Sequence, residues 1–168
     1  MTLLKKCYDN LEEYICALLV ATMVCCLSIQ VIMRIITGSS FAWTEELSRY
    51  SFIWSVYVGA ALAVKRNAHV RITAQFAFLS SPARLAVRGA TDILWIAFNL
   101  YFASVSFDAI GEALAFPEIS PTLGVVKGYV EMIIPACFIL TSWRIAEQYL
   151  VHWRNGTLYD LVNYEEAA

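Results

Sequence analysis

Charge is what this chain has least of. Asp, Glu, Lys and Arg make up 15% of its 168 residues, against about 25% in ordinary soluble domains. With a net charge of −2 and no concentrated basic face, nucleic acid is excluded as a partner. Histidine is scarce as well: His69 and His152 both lie outside the apolar runs, so a bis-histidine haem within a membrane has no ligands. The five cysteines (Cys7, Cys16, Cys25, Cys26 and Cys137) are odd in number, sit mostly in apolar runs and lack metal-ligand spacing. That pattern reads as buried free thiols. Neither a Gly-rich phosphate loop nor a nucleophile–base pair occurs, so no enzymatic chemistry and no cofactor is expected.

Apolar residues are abundant in their place, at 60% of the chain. A spanning helix needs roughly 20 of them in succession, and the sequence supplies four such runs: about 15–33, 47–64, 85–107 and 125–143. The expected fold is an all-α membrane protein, a single four-helix domain with short interfacial amphipathic segments. Lys5 and Lys6 precede the first run as they would in a signal peptide. However, the run is too long, Glu12 and Glu13 spoil the charged start, and no small-residue cleavage site follows. Nine of the twelve basic residues (Lys5, Lys6, Lys65, Arg66, Arg71, Arg84, Arg88, Arg144 and Arg154) fall on one side of this topology. Arg34, Arg49 and Lys127 fall on the other, which predicts both termini in the cytoplasm.

Local signals refine the boundaries. Thr44, followed by Glu45 and Glu46, reads as the N-cap of the second helix; Ser81 before Pro82 reads as the N-cap of the third. Nothing interrupts the third helix from Pro82 to about Leu114, roughly 50 Å at 1.5 Å per residue. Pro135 should kink the fourth, because it leaves the Glu131 carbonyl without its usual partner. Residues 1–14 and the Ile72, Phe76, Leu79 stripe have the spacing of amphipathic helices on the membrane surface. Residues 157–168 form an expected cytoplasmic tail, acidic and frayed at its end.

Chemistry-bearing residues cluster at helix ends. Arg34, Glu45, Glu46 and Arg49 are the densest charge group, expected to clasp the first two helices through an Arg34–Glu46 pair or to dock a partner's polar surface. Arg49 lies within helical reach of Glu45 and Glu46, Asp92 of Arg88, and Glu131 of Lys127. Asn99, nearer the bilayer centre, is expected to bond a neighbouring helix. Ser51, Ser55, Gly59 and Ala63 recur every fourth residue, a small-residue stripe that admits another helix from this chain or from a partner subunit. His69 follows Lys65 and Arg66 at the inner boundary, where lipid headgroups or a partner would be met.

In order, these elements are Gln30, Val31 and Arg34; Trp43, Glu45, Glu46, Leu47, Arg49 and Tyr50; Gly59, Ala60 and Ala61; Lys65, Arg66 and His69; then Ser120, Pro121, Leu123, Gly124, Pro135 and Arg144. Together they resemble the DctQ-like small subunit of tripartite ATP-independent periplasmic (TRAP) transporters, a likeness covering all four spans. It departs from the family pattern at Val126-Lys127-Gly128, where a proline and a tryptophan are common. The resemblance implies an inner-membrane subunit packed against a large permease subunit, in a system that also has a periplasmic solute-binding protein. It further implies sodium-driven uptake of an organic acid, such as a dicarboxylate or a sialic acid, with the sodium and substrate sites in the large subunit. Gln30, Arg34, Trp43, Glu45, Glu46, Arg49, Ser55, Gly59, Ala63, His69, Pro121 and Pro135 are then candidates for the subunit interface or the helix clasp. The rival readings are a self-sufficient four-helix transporter and an anchor of another membrane complex.

Overall fold

Apolar runs of this length can cross a bilayer only if every backbone N–H and C=O is bonded within the run, which makes them helices. A computed structural model describes residues 3–66 and 79–162 of the protein, with side chains from Asn10 onward. The elements are α1 (Leu3–Thr37), α2 (Ala42–Lys65), α3 (Ser81–Ala115), α4 (Lys127–Glu131), α5 (Ile133–Asn155) and a closing 3-10 turn (Leu158–Leu161). Four stretches are long and apolar enough to span: Asn10–Thr37, α2, α3, and α4 with α5. His69 and most of the second amphipathic stripe lie outside the described residues.

Several boundaries differ from those read in the sequence, each for a local reason. α1 is unbroken over 35 residues, so the expected interfacial start is continuous with the first span and is not a separate element. Its end is Gly38, whose φ of 74° only glycine adopts freely, with its amide bonded to the Arg34 carbonyl at 3.1 Å. α2 starts before Thr44. Phe41 is its N-cap, and the Thr44 hydroxyl donates back to the Phe41 carbonyl at 2.6 Å instead of capping an amide. Ser80, not Ser81, precedes α3, which places Pro82 in the first turn where no N–H is needed. The proline effect in the last span is larger than a bend. The helix is interrupted at Met132, three residues before Pro135, and resumes at Ile133.

The spans stand in a row in the order α1, α2, α5, α3, each packed mainly on its neighbour. The two middle helices bury the largest share of their length and α1 the smallest. The seams follow from side-chain size. On α2 the buried residues are Thr44, Ser48, Ser51, Ser55, Val58, Ala61 and Val64, a helical stripe of small side chains that lets backbones approach closely where no water-driven force operates. The α2–α5–α3 seams are joined by a chain of rings: Tyr57 meets Phe138 edge-on at 6.1 Å, and Phe138 meets Phe102 at 5.9 Å. Phe102 in turn lies 4.4 Å from Phe98, within the range of favourable aromatic pairs.

Candidate functional site

Charged side chains gather at both ends of the helix row, binding helix to helix at one end and helix to loop at the other. At the loop end, Glu46 of α2 does not meet Arg34. Its Oε2 accepts the backbone N–H of Thr122 at 3.2 Å and of Leu123 at 3.3 Å, together with the Thr122 hydroxyl. Its Oε1 accepts the Tyr50 hydroxyl at 3.1 Å. The expected Arg34–Glu46 clasp is therefore replaced by a carboxylate seated in the 120–123 turn, where converging N–H groups form an anion-holding concavity. Gly124, with φ of 66°, closes that turn through its amide to the Ser120 carbonyl at 3.1 Å. Arg34 instead occupies the last turn of α1, exposed, where a cation suits the negative end of the helix dipole.

The same end carries a second correction. Lys127 pairs with Glu118 at 2.7 Å and not with Glu131, because Glu118 is brought opposite it by the Lys127 amide bonding the Glu118 carbonyl at 3.0 Å. The Lys127 ammonium holds the Glu118 carboxyl below the usual carboxylate range. Arg49 and Glu45 pair at 3.0 Å as the spacing predicts, but both are well exposed, so the pair stabilises little.

The opposite end is the more tightly built. Glu12 of α1 is buried between two other helices: its Oε1 lies 2.6 Å from Arg144 Nη2 of α5, and its Oε2 lies 3.0 Å from Lys65 Nζ of α2. Arg144 also pairs with Glu147, and Glu13 with Arg66. Gln148 donates to the Val64 carbonyl. A second buried group joins α3 to α5. Arg88 and Asp92 approach at 3.6 Å, and the Tyr149 hydroxyl donates to Asp92 at 2.6 Å. Arg88 also donates to the Leu161 carbonyl. With Leu161 and Val162 buried, the start of the expected tail is thus docked, not free.

The sequence-predicted residues separate accordingly. Ser55 and Gly59 belong to the α1–α2 seam: Cys16 Sγ donates to the Ser55 carbonyl at 3.8 Å and lies 3.7 Å from where a Cβ on Gly59 would sit. Ala63 and Gln30 are half-buried; Trp43 is exposed and stacks on Phe41 at 6.3 Å; Pro121 is exposed in the Glu46 turn. Pro135 is fully buried. The interruption it causes leaves acceptors, one of which is used: the Trp54 indole donates to the Val130 carbonyl at 2.9 Å. Residue-by-residue reading missed Glu12, Trp54 and Tyr149. A signal existed for Glu12, since Glu12-Glu13 enters the first span and Lys65-Arg66 leaves the second, and two antiparallel helices bring those ends together.

Four spanning helices tied at one end by charge pairs between helices, and at the other by a carboxylate seated in a turn, define a multi-pass helical membrane protein. Residues 23–155 match the family described as tripartite ATP-independent periplasmic transporters, DctQ component. The chain belongs to that family, a transporter component of the inner membrane and not an enzyme, which bears out the resemblance carried by its motifs. It is 36% identical to the sialic acid TRAP transporter small permease protein SiaQ of Vibrio cholerae, over 88% of this chain and 84% of that one. It is 28% identical to the isethionate TRAP transporter permease protein DctMQ of Oleidesulfovibrio alaskensis, over 66% of this chain and 17% of the relative. It is 24% identical to the sialic acid TRAP transporter permease protein SiaT of Haemophilus influenzae, over 92% of this chain and 25% of the relative.

Proposed function

We propose that this chain is the small, non-transporting subunit of a TRAP transporter, packed against a large permease subunit and widening the static part of the membrane complex. The complex takes up an organic acid delivered by a periplasmic solute-binding protein and driven by a sodium gradient. The names of the two relatives at 36% and 24% identity favour a sialic acid as that substrate. Both termini face the cytoplasm, on the basis of where Lys and Arg fall.

The observation that carries this reading is the use made of the charged groups. Glu12 is shared between Arg144 and Lys65, Asp92 between Arg88 and Tyr149, and Glu46 is enclosed by the 120–123 turn. Side chains that a transporter would use to bind and release an ion are here spent on fixing helix to helix. A rigid row with broad apolar faces is suited to lie against a larger membrane protein. Reconstitution tests the proposal: liposomes containing this chain and its large permease should accumulate sialic acid when given binding protein and an inward sodium gradient. Uptake by this chain alone, or undiminished uptake without it, would overturn the reading.

A further inference from the structure

The loop end of the row, periplasmic in the orientation proposed above, holds two apolar side chains out from the protein. Phe116, the C-cap of α3, exposes 83% of its surface, and Ile119 exposes 64%. Neither is on a loose segment. The Phe116 amide bonds the Glu112 carbonyl at 3.1 Å, the Ser120 amide the Val125 carbonyl at 2.9 Å, and the Lys127 amide the Glu118 carbonyl at 3.0 Å. Ile119 and Val126 form an antiparallel bridge, and Glu46 pins the same loop to α2. An anchor presented from a loop already fixed costs little ordering when a partner binds.

Charge places this anchor outside the lipid tails. Asp108 and Glu112 lie on α3 eight and four residues before Phe116, and both are exposed. An exposed carboxylate stays out of hydrocarbon, so the hydrocarbon ends short of Asp108 and Phe116 stands about 12 Å further out. Counting the roughly 20 residues of a bilayer core back from Asp108 reaches Arg88, where the buried charges of the opposite end begin. The two carboxylates are also poorly placed for the helix that carries them. They are like charges four residues apart, which repel, near the negative end of the helix dipole. α3 has no basic residue in its last turn, and neither carboxylate enters an ion pair among the described residues. An exposed aromatic anchor with an unneutralised acidic rim has the anatomy of a protein interface. Its complement is an apolar patch with a basic rim.

We infer that Phe116 and Ile119 form an anchor on which the periplasmic solute-binding protein docks, steered by Asp108 and Glu112. The inference rests on the transporter reading above and extends it: the small subunit receives the binding protein as well as bracing the large one. The large permease is the less suited occupant, because it meets the sides of the row within the bilayer, whereas this loop caps the end of the row in water. A soluble partner that arrives and leaves repeatedly is served by a small anchor and by charge that speeds encounter.

The test uses the co-expressed complex of both subunits in nanodiscs and the purified binding protein, with affinity and association rate measured directly. Phe116→Ala should weaken binding roughly ten- to thirtyfold, the loss typical of an aromatic anchor. Asp108→Lys combined with Glu112→Lys should slow association about tenfold at low salt and flatten its salt dependence. Phe116→Ala should leave the melting temperature and the recovery of the large permease in a small-subunit pull-down unchanged, since the side chain is exposed. Undiminished affinity in Phe116→Ala would overturn the assignment, as would loss of the large permease from that variant, or a photo-cross-linking amino acid at Ile119 that yields adducts only with lipid. An association rate unmoved by the charge reversal would remove the basic rim from the partner. If the reversed variant does not fold, Phe116→Ala decides. A parent complex with no affinity for the binding protein would sink the proposed function and this inference together; a parent that binds no better than Phe116→Ala would sink this inference alone.

Discussion

Glu12 is where a single substitution should do the most damage. Its carboxylate is 6% exposed and faces Arg144, itself 4% exposed, and Lys65, so Glu12→Ala removes the shared partner of two cations and leaves them facing each other. Breaking a buried ion pair from one side costs about 3–5 kcal/mol. Glu147 remains on Arg144, which places the expected loss at the lower end, about 3 kcal/mol. For a chain of this size each kcal/mol moves the melting temperature by about 2–4 °C, so a fall of roughly 6–12 °C is expected. The assay is thermal unfolding of the purified subunit in detergent, followed by tryptophan fluorescence. Replacing Glu12, Lys65 and Arg144 together by Leu, Met and Met should recover much of the loss, because apolar residues of similar volume carry no desolvation penalty. A melting temperature for Glu12→Ala within about 2 °C of the parent would refute the reasoning, as would a triple variant no better than the single one.

Three other outcomes are expected. Glu46→Gln should speed hydrogen exchange at the Thr122 and Leu123 amides, while Arg34→Ala leaves them unchanged; equal effects would restore the Arg34–Glu46 clasp that the structure replaces. Gly59→Ala should be tolerated, since its Cβ would sit 3.7 Å from Cys16 Sγ, whereas Gly59→Leu should push α1 away at a cost of about 1–3 kcal/mol; a Leu variant as stable as the parent would show that the side chain escapes the seam. The Glu118 carboxyl is held below its ordinary range by Lys127, so the pair's contribution is present above the unfolded pKa and lost as pH falls through the lower folded one. A carbon-13 titration of Glu118 should therefore have its midpoint below that of Lys127→Met, and identical midpoints would show that the pair does not form in solution.

Most of the fold was legible because bilayer thickness dictates run length and the absence of water dictates helix. The small-residue stripe through Ser55 and Gly59 was legible for the same reason, as close helix approach in lipid calls for small side chains. Helix starts were read less well. Thr44 and Ser81 have cap-forming side chains, yet neither caps, because capping propensity is worth about 1 kcal/mol and packing of the helix end decides.

The sequence by itself determined that this is a membrane protein of four spans, that its charges sit at the ends of those spans, and which family it belongs to. These follow from one-dimensional quantities: run length, composition and motif order. Which charges meet was decided by the tertiary structure alone. Glu46 found the 120–123 turn in place of Arg34, Lys127 found Glu118 in place of Glu131, and Glu12 found partners 53 and 132 residues away at Lys65 and Arg144. Helical spacing predicts pairs only within one helix. Between helices, the pairing depends on which helices are neighbours, and the order α1, α2, α5, α3 exists only once the spans have packed.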